Sequence, residues 1–175
     1  MQLDIYTDGS YRSDKALGGY GYLFFDVIEQ KVIKKSVALL NDSDPSRNPA
    51  RMEIMAMIYA YHGLFQLMQI TKKTISGTIY SDSEFLVKAI TEGTMEEWKA
   101  HNWKNSKHKK VVNADLLLRL DRLRYAPALE SVIFSIRSIK SKQGFNKEVD
   151  QAIREAMAYR LNSENNTQKD ETNFE

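Results

Sequence analysis

The sequence predicts a mixed α/β fold, a five-stranded sheet flanked by α-helices, and three observations predict it. Short runs alternate apolar and polar residues, as in Leu3-Asp4-Ile5-Tyr6-Thr7-Asp8, the period of two expected of a strand. Longer stretches carry helical stripes. From Glu53 the residues at +3, +4, +7 and +11 are Ala56, Met57, Ala60 and Leu64, and from Asp150 those at +3, +7 and +11 are Ile153, Met157 and Leu161, so both acids head apolar faces. The order of elements reads βββαβααβα, a pattern that packs helices against a mixed sheet. At 175 residues, 42% hydrophobic and 27% charged, the chain suits one domain with a sizeable core.

The first strand, Leu3 to Thr7, stops on this reading at Gly9-Ser10. Asp8 then stands at a strand's carboxyl end, where open α/β sheets hold their ligands. Aspartate is a poor strand former and costly to bury alone; the competing reading is an acid opening a turn before glycine. A loop from Gly9 to Leu17 precedes strands at Tyr20–Val27 and Lys31–Leu39, joined near Glu29-Gln30 into an antiparallel meander. Asn41 to Pro49 is rich in Asn, Asp, Ser and Pro, which marks a loop. A helix follows from Ala50 to Gln69, and for Glu53 the alternative is a helix-start acid that favours the macrodipole.

Gly77 to Ser83 repeats the first pattern: a strand, then Asp82, then a small polar residue. A helix over Glu84–Ile90 follows, with Ser83 or Asp82 as its cap. Residues 96–110 hold Trp98, Trp103, five lysines (99, 104, 107, 109 and 110) and two histidines, with no acid from Lys99 onward. Cations interleaved with aromatics suit a surface that tracks a phosphate backbone; equally, Trp103 can plug the core. A helix over Val111–Arg124, a strand over Ser131–Ile139, a loop over Lys140–Gly144 and a helix over Asn146–Leu161 complete the domain. The tail, residues 162–175, carries a net charge of −3 and leaves +5 on residues 1–161. So polar and acidic a segment is expected to be disordered.

Composition narrows the chemistry. The chain has no cysteine, which excludes disulfides, thiolate zinc sites and cysteine nucleophiles. Two of its three histidines lie in the lysine-rich stretch, which argues against a histidine-built metal site. No signal peptide and no apolar run approaching a membrane span can be read, so a cytoplasmic protein is expected. What remains is four acids in odd places: Asp8, Glu53, Asp82 and Asp150. Such acids repel one another unless cations lie between them, and hard oxygen ligands suit magnesium, with manganese the alternative. Two such ions, about 3.5–4 Å apart, activate water and stabilise a leaving oxygen in phosphodiester cleavage.

The segments YTDGS, GGYG, RMEIMA, YSDSEFLVKAI, NWK, VVNADLLLRLD and NKEVDQAIREA together resemble type 1 ribonuclease H in order and spacing, from Leu3 to Met157. The resemblance implies a ribonuclease H-like fold over residues 1–161 and two-metal catalysis. It also implies internal cutting of the RNA strand of an RNA–DNA hybrid, leaving 5′-phosphate and 3′-hydroxyl ends. Asp8, Glu53, Asp82 and Asp150 fall on the family's catalytic, metal-binding acids, and Asn113 on an asparagine that contacts substrate phosphate. Trp98, Lys99, Trp103, Lys104 and Lys107 fall in its basic protrusion. A monomer with no membrane association is expected. Departures are visible too. The loop before the last helix lacks the family's histidine, Lys142 standing nearest as an accessory candidate, and it is shorter. Pro49 and Ala50 replace two amides that touch the minor groove, Glu84 replaces a common glutamine, and Glu96 and Glu97 enter the protrusion. Two rivals follow: a junction-resolving nuclease on the same fold, and a hybrid-binding module with weak catalysis. The four intact acids argue against the binder, which gains nothing from negative charge beside phosphates.

Overall fold

The computed structural model describes residues 1–41, 48–126, 133–140 and 143–172. Five strands, β1 (Gln2–Arg12), β2 (Leu17–Asp26), β3 (Lys31–Asn41), β4 (Ser76–Ser81) and β5 (Ile133–Ser138), form one sheet in the order β3-β2-β1-β4-β5. β1, β2 and β3 pair antiparallel, whereas β1–β4 and β4–β5 are parallel. Among the described residues five helices accompany the sheet: α1 (Pro49–Thr71), α2 (Glu84–Thr91), α3 (Thr94–Ala100), α4 (Ala114–Arg124) and α5 (Asn146–Thr172). None of the described helices is long and apolar enough to cross a membrane.

The period of two in β1 sorts its side chains between two cores. Leu3 and Ile5 are fully buried against Ile54, Met57 and Leu64 of α1 and Leu117 and Leu120 of α4. On the other face Tyr6 and Leu23 meet Val149, Ile153 and Met157 of α5. That helix lies close to β2 because Gly19 has no side chain: a Cβ there would stand 2.6 Å from Ile153 Cγ2. The expected five-stranded mixed sheet is present.

Several boundaries differ from the sequence reading. β1 does not stop at Gly9-Ser10. It stays paired with β2 as far as Arg12↔Leu17, while its parallel pairing with β4 ends at Thr7↔Ser81. Asp8 therefore sits inside a strand, at the point where that strand loses one of its two neighbours. Most of the expected loop at 9–17 is thus strand, and a single 3-10 turn at Ser13–Lys15 connects β1 to β2. Among the described residues three helices, not two, separate β4 from β5, because Gly93 at φ 82° breaks the chain between α2 and α3. α4 starts at Ala114 after Asn113 in a left-handed conformation, not at Val111. α5 continues past Leu161 to Thr172, and no proline or glycine occurs within it to stop it. Ser131 and Val132 of the expected fifth strand, and most of the expected loop at 41–49, lie outside the described residues.

Candidate active site

Three acids converge where β1 parts from β4. Glu53 is the fifth residue of α1 and lies beyond its first turn, which holds no acid. Asn48 caps that helix, its Oδ1 accepting from Arg51 N at 3.0 Å, so Glu53 is not needed at the helix start and turns toward β1. Ser83 likewise caps α2, its Oγ accepting from Leu86 N at 3.4 Å, which releases Asp82 from the capping role. One carboxylate oxygen each from Asp8, Glu53 and Asp82 then lies within 4.8 Å of the other two.

Two acids of this cluster are poorly hydrated. Asp8 is 6% exposed and Glu53 9%. The Gly9 N–H donates to both, at 3.0 Å to Asp8 Oδ1 and 3.1 Å to Glu53 Oε1. Glu53 Oε2 is buried with no hydrogen-bond partner among the described residues. Burial pushes the Asp8 carboxyl up to about 7; the charges of Asp82 and Asp150 add to the rise, and the Gly9 N–H opposes it. Burial, then the charges of Asp8 and Asp82, also hold Glu53 well above the usual carboxylate range. Oxygen-only donors, mutual repulsion and an orphaned buried Oε2 together fit a hard divalent cation.

Asp150 stands alongside the trio. Its Oδ1 accepts from Arg154 Nε at 2.7 Å, one helical turn on, yet it is near enough for its charge to raise Asp8. Asn146 sets its place. Fully buried at the start of α5, Asn146 donates from Nδ2 to Thr7 O at 3.2 Å and so pins the helix to β1 beside Asp8. Sequence reasoning missed Asn146, Arg154 and the shared Gly9 N–H. An acid and an arginine four residues apart on one helix were the available signal for Arg154.

Asn113 Oδ1 accepts from Arg51 Nη1 at 3.3 Å, and Arg51 also grips Asp115 with both Nη atoms, at 3.1 and 2.8 Å. Asn113 lines a cavity of about 370 Å³ together with Asn48, Pro49, Ala50, Phe85 and Val112. Trp98 and Trp103 are half-buried and pack against the main core, so both serve it. Lys99 is committed elsewhere: its Nζ binds the buried Asp121 carboxylate at 2.7 Å. Lys104 and Lys107 are exposed, and backbone N–H groups of Lys107 and Lys109 donate to Asn105 Oδ1. Lys142 lies outside the described residues.

With this geometry established, comparison with known proteins gives a consistent result. The family model for RNase H matches residues 1–158. A ribonuclease H of Syntrophus aciditrophicus is 35% identical over 119 residues, covering 68% of this chain and 61% of that protein. A ribonuclease H of Chlorobium phaeobacteroides (strain BS1) is 32% identical over 160 residues, covering 89% of this chain and 95% of its own. The crystal structure of LC11-RNase H1 in complex with RNA/DNA hybrid superposes with a TM-score of 0.58 at 18% identity, covering 89% and 99% of the two chains. A matching family model, a relative covered near full length and a shared fold agree with the acidic cluster: this chain belongs to the RNase H family.

Proposed function

We propose that this protein is a cytoplasmic, monomeric endoribonuclease that hydrolyses the RNA strand of RNA–DNA hybrids, leaving 5′-phosphate and 3′-hydroxyl ends. The observation that carries this reading is the convergence of the buried Asp8 and Glu53 with the partly buried Asp82, together with the orphaned Glu53 oxygen. Its membership of the RNase H family and the hybrid bound to LC11-RNase H1 support the substrate class. Asp8, Glu53 and Asp82, joined by Asp150, would hold two magnesium ions, with manganese as the substitute. Bound there, the ions supply Lewis acidity to the attacking water and the departing 3′ oxygen. The chain's own residues orient. The Gly9 N–H fixes two carboxylates at once, Asn146 sets the start of α5, and Asn113, its carboxamide oxygen taken by Arg51, offers its NH₂ to a backbone phosphate. Selection of a hybrid comes from groove shape and 2′-hydroxyl contacts. Residues 1–161 form the catalytic domain, residues 162–175 an acidic extension, and Lys142 acts as an accessory group. Trp98 and Trp103 shape the protrusion from which Lys104 and Lys107 reach the substrate.

Labelled hybrid, double-stranded RNA, double-stranded DNA and a four-way DNA junction, each with and without magnesium or manganese, test the assignment. Internal cuts confined to the hybrid's RNA strand, and only with a divalent ion, are expected. Cutting of the junction but not the hybrid, or hybrid binding without cutting in either metal, would overturn it. Within the protrusion, replacing Lys104, Lys107 and Lys109 with alanine is expected to weaken hybrid binding and flatten its salt dependence by roughly one unit of slope per contact. Lys99→Ala should instead lower the melting temperature, because it leaves the buried Asp121 without its cation.

A further inference from the structure

We infer that the cleft between β1 and α5, lined by Ser10, Arg12, Arg154, Met157 and Ala158, is a second nucleic-acid contact that holds a backbone phosphate flanking the cut. The inference rests on the hybrid-cutting function proposed above. It starts from placement. Asp8, Ser10 and Arg12 alternate along one face of β1, whose regular pairing with β2 runs through Arg12, so Ser10 and Arg12 lie about 7 Å and about 14 Å beyond the acid. Asp150, Arg154, Met157 and Ala158 share one face of α5 at offsets of four, seven and eight residues. The cleft, about 390 Å³ in volume, thus lies next to the acids, with Arg154 of its lining in contact with Asp150.

Its chemistry suits a sugar–phosphate backbone. Two guanidinium groups and a hydroxyl line it together with the apolar side chains of Met157 and Ala158. Each arginine is held by a carboxylate without being used up. Asp150 takes Arg154 Nε, and Asp14 takes Arg12 Nε and Nη2 at 3.3 and 2.8 Å. Both Nη atoms of Arg154 and Nη1 of Arg12 make no hydrogen bond among the described residues. A planar fork oriented in advance loses little freedom when it meets phosphate oxygens. Arg154 further links the two functions, since the same side chain touches Asp150 and lines the cleft.

Arg12→Ala tests the cleft against Lys15→Ala, a variant that removes the same charge from an exposed position outside it. Arg12→Ala is expected to weaken hybrid binding roughly tenfold and to lower the salt slope by about 0.9, while Lys15→Ala changes neither. Hybrids shortened stepwise from each end in turn provide the second measurement. In one of the two series the Arg12→Ala defect should vanish once the duplex ends short of the cleft. Equal affinity and slope for Arg12→Ala and Lys15→Ala, or a defect independent of hybrid length in both series, would overturn the cleft while leaving hybrid cutting intact. Failure of the unmodified protein to bind or cut any hybrid would instead overturn the function, and the cleft with it.

Discussion

Replacing Asp8 with asparagine is expected to lower hybrid cutting by roughly a thousandfold or more while making the metal-free protein more stable at pH 8. The first effect follows from removing one of three carboxylates whose oxygens crowd within 4.8 Å. The second follows from the proton balance. Burial raises the Asp8 carboxyl from an ordinary 3.8 to about 7, so the folded chain holds that proton more tightly than the unfolded one. This contribution to stability is complete below about pH 4, declines between about pH 4 and 7, and is absent above that range. Asparagine mimics the protonated form at every pH. Its advantage should therefore reach up to about 4 kcal/mol above pH 7 and shrink as the pH falls toward 4. Melting curves at pH 5 and pH 8 without divalent ions check the sign. Added magnesium should raise the wild-type melting temperature more than that of the variant, because a ligand stabilises only the state that binds it. Near wild-type cutting by Asp8→Asn, or a stability gain that grows toward acid pH, would contradict this account.

Gly9→Ala should be the most damaging single-methyl change at the site. A Cβ on Gly9 would collide with the Met52 carbonyl carbon and stand 2.5 Å from Glu53 N. These are backbone atoms and cannot rotate aside, so α1 must back away from β1. Overpacking of this kind costs about 3 kcal/mol. The same retreat carries Glu53 away from the N–H it shares with Asp8, so cutting should fall by at least about a hundredfold even in the fraction that stays folded. Thermal melting and single-turnover cutting, measured on the same preparation, separate the two losses. Wild-type values for both would show that the contact between β1 and α1 is looser than its geometry.

The sheet and the four acids were legible because each rests on local pattern. Alternation wrote β1, short runs joined by a turn wrote β2 and β3, and the stripes below Glu53 and Asp150 pointed those acids inward. What escaped was decided at a distance. Gly9-Ser10 looks like a strand end from its own composition, yet Gly19 and Tyr20 of β2 pair with Ser10 and Gly9 and carry the strand on. Lys99 reads as a free cation in a run without acids, and its partner Asp121 lies 22 residues away on another helix. The choice of Ser83 over Asp82 as cap was weighed from sequence and needed only geometry to resolve. Arg154 differs: its spacing from Asp150 was visible, but the arginine matters only once β1 brings Ser10 and Arg12 opposite it.

The parting of β1 from β4 at Thr7 also bears on the order in which the molecule assembles. The β1–β2–β3 meander joins neighbours in the chain, whereas β1 finds β4 only across a separation of 74 residues, from Gln2 to Ser76. Contacts that close so long a loop form slowly relative to hairpins. Asp8 rides on the early unit and Asp82 follows the late strand, so the crevice stays open until that last seam zips. On that order, a nascent or half-unfolded chain would lack the assembled acids that cutting requires. In refolding experiments, recovery of cutting should lag behind recovery of strand signal; simultaneous recovery would place both halves of the sheet in one concerted step.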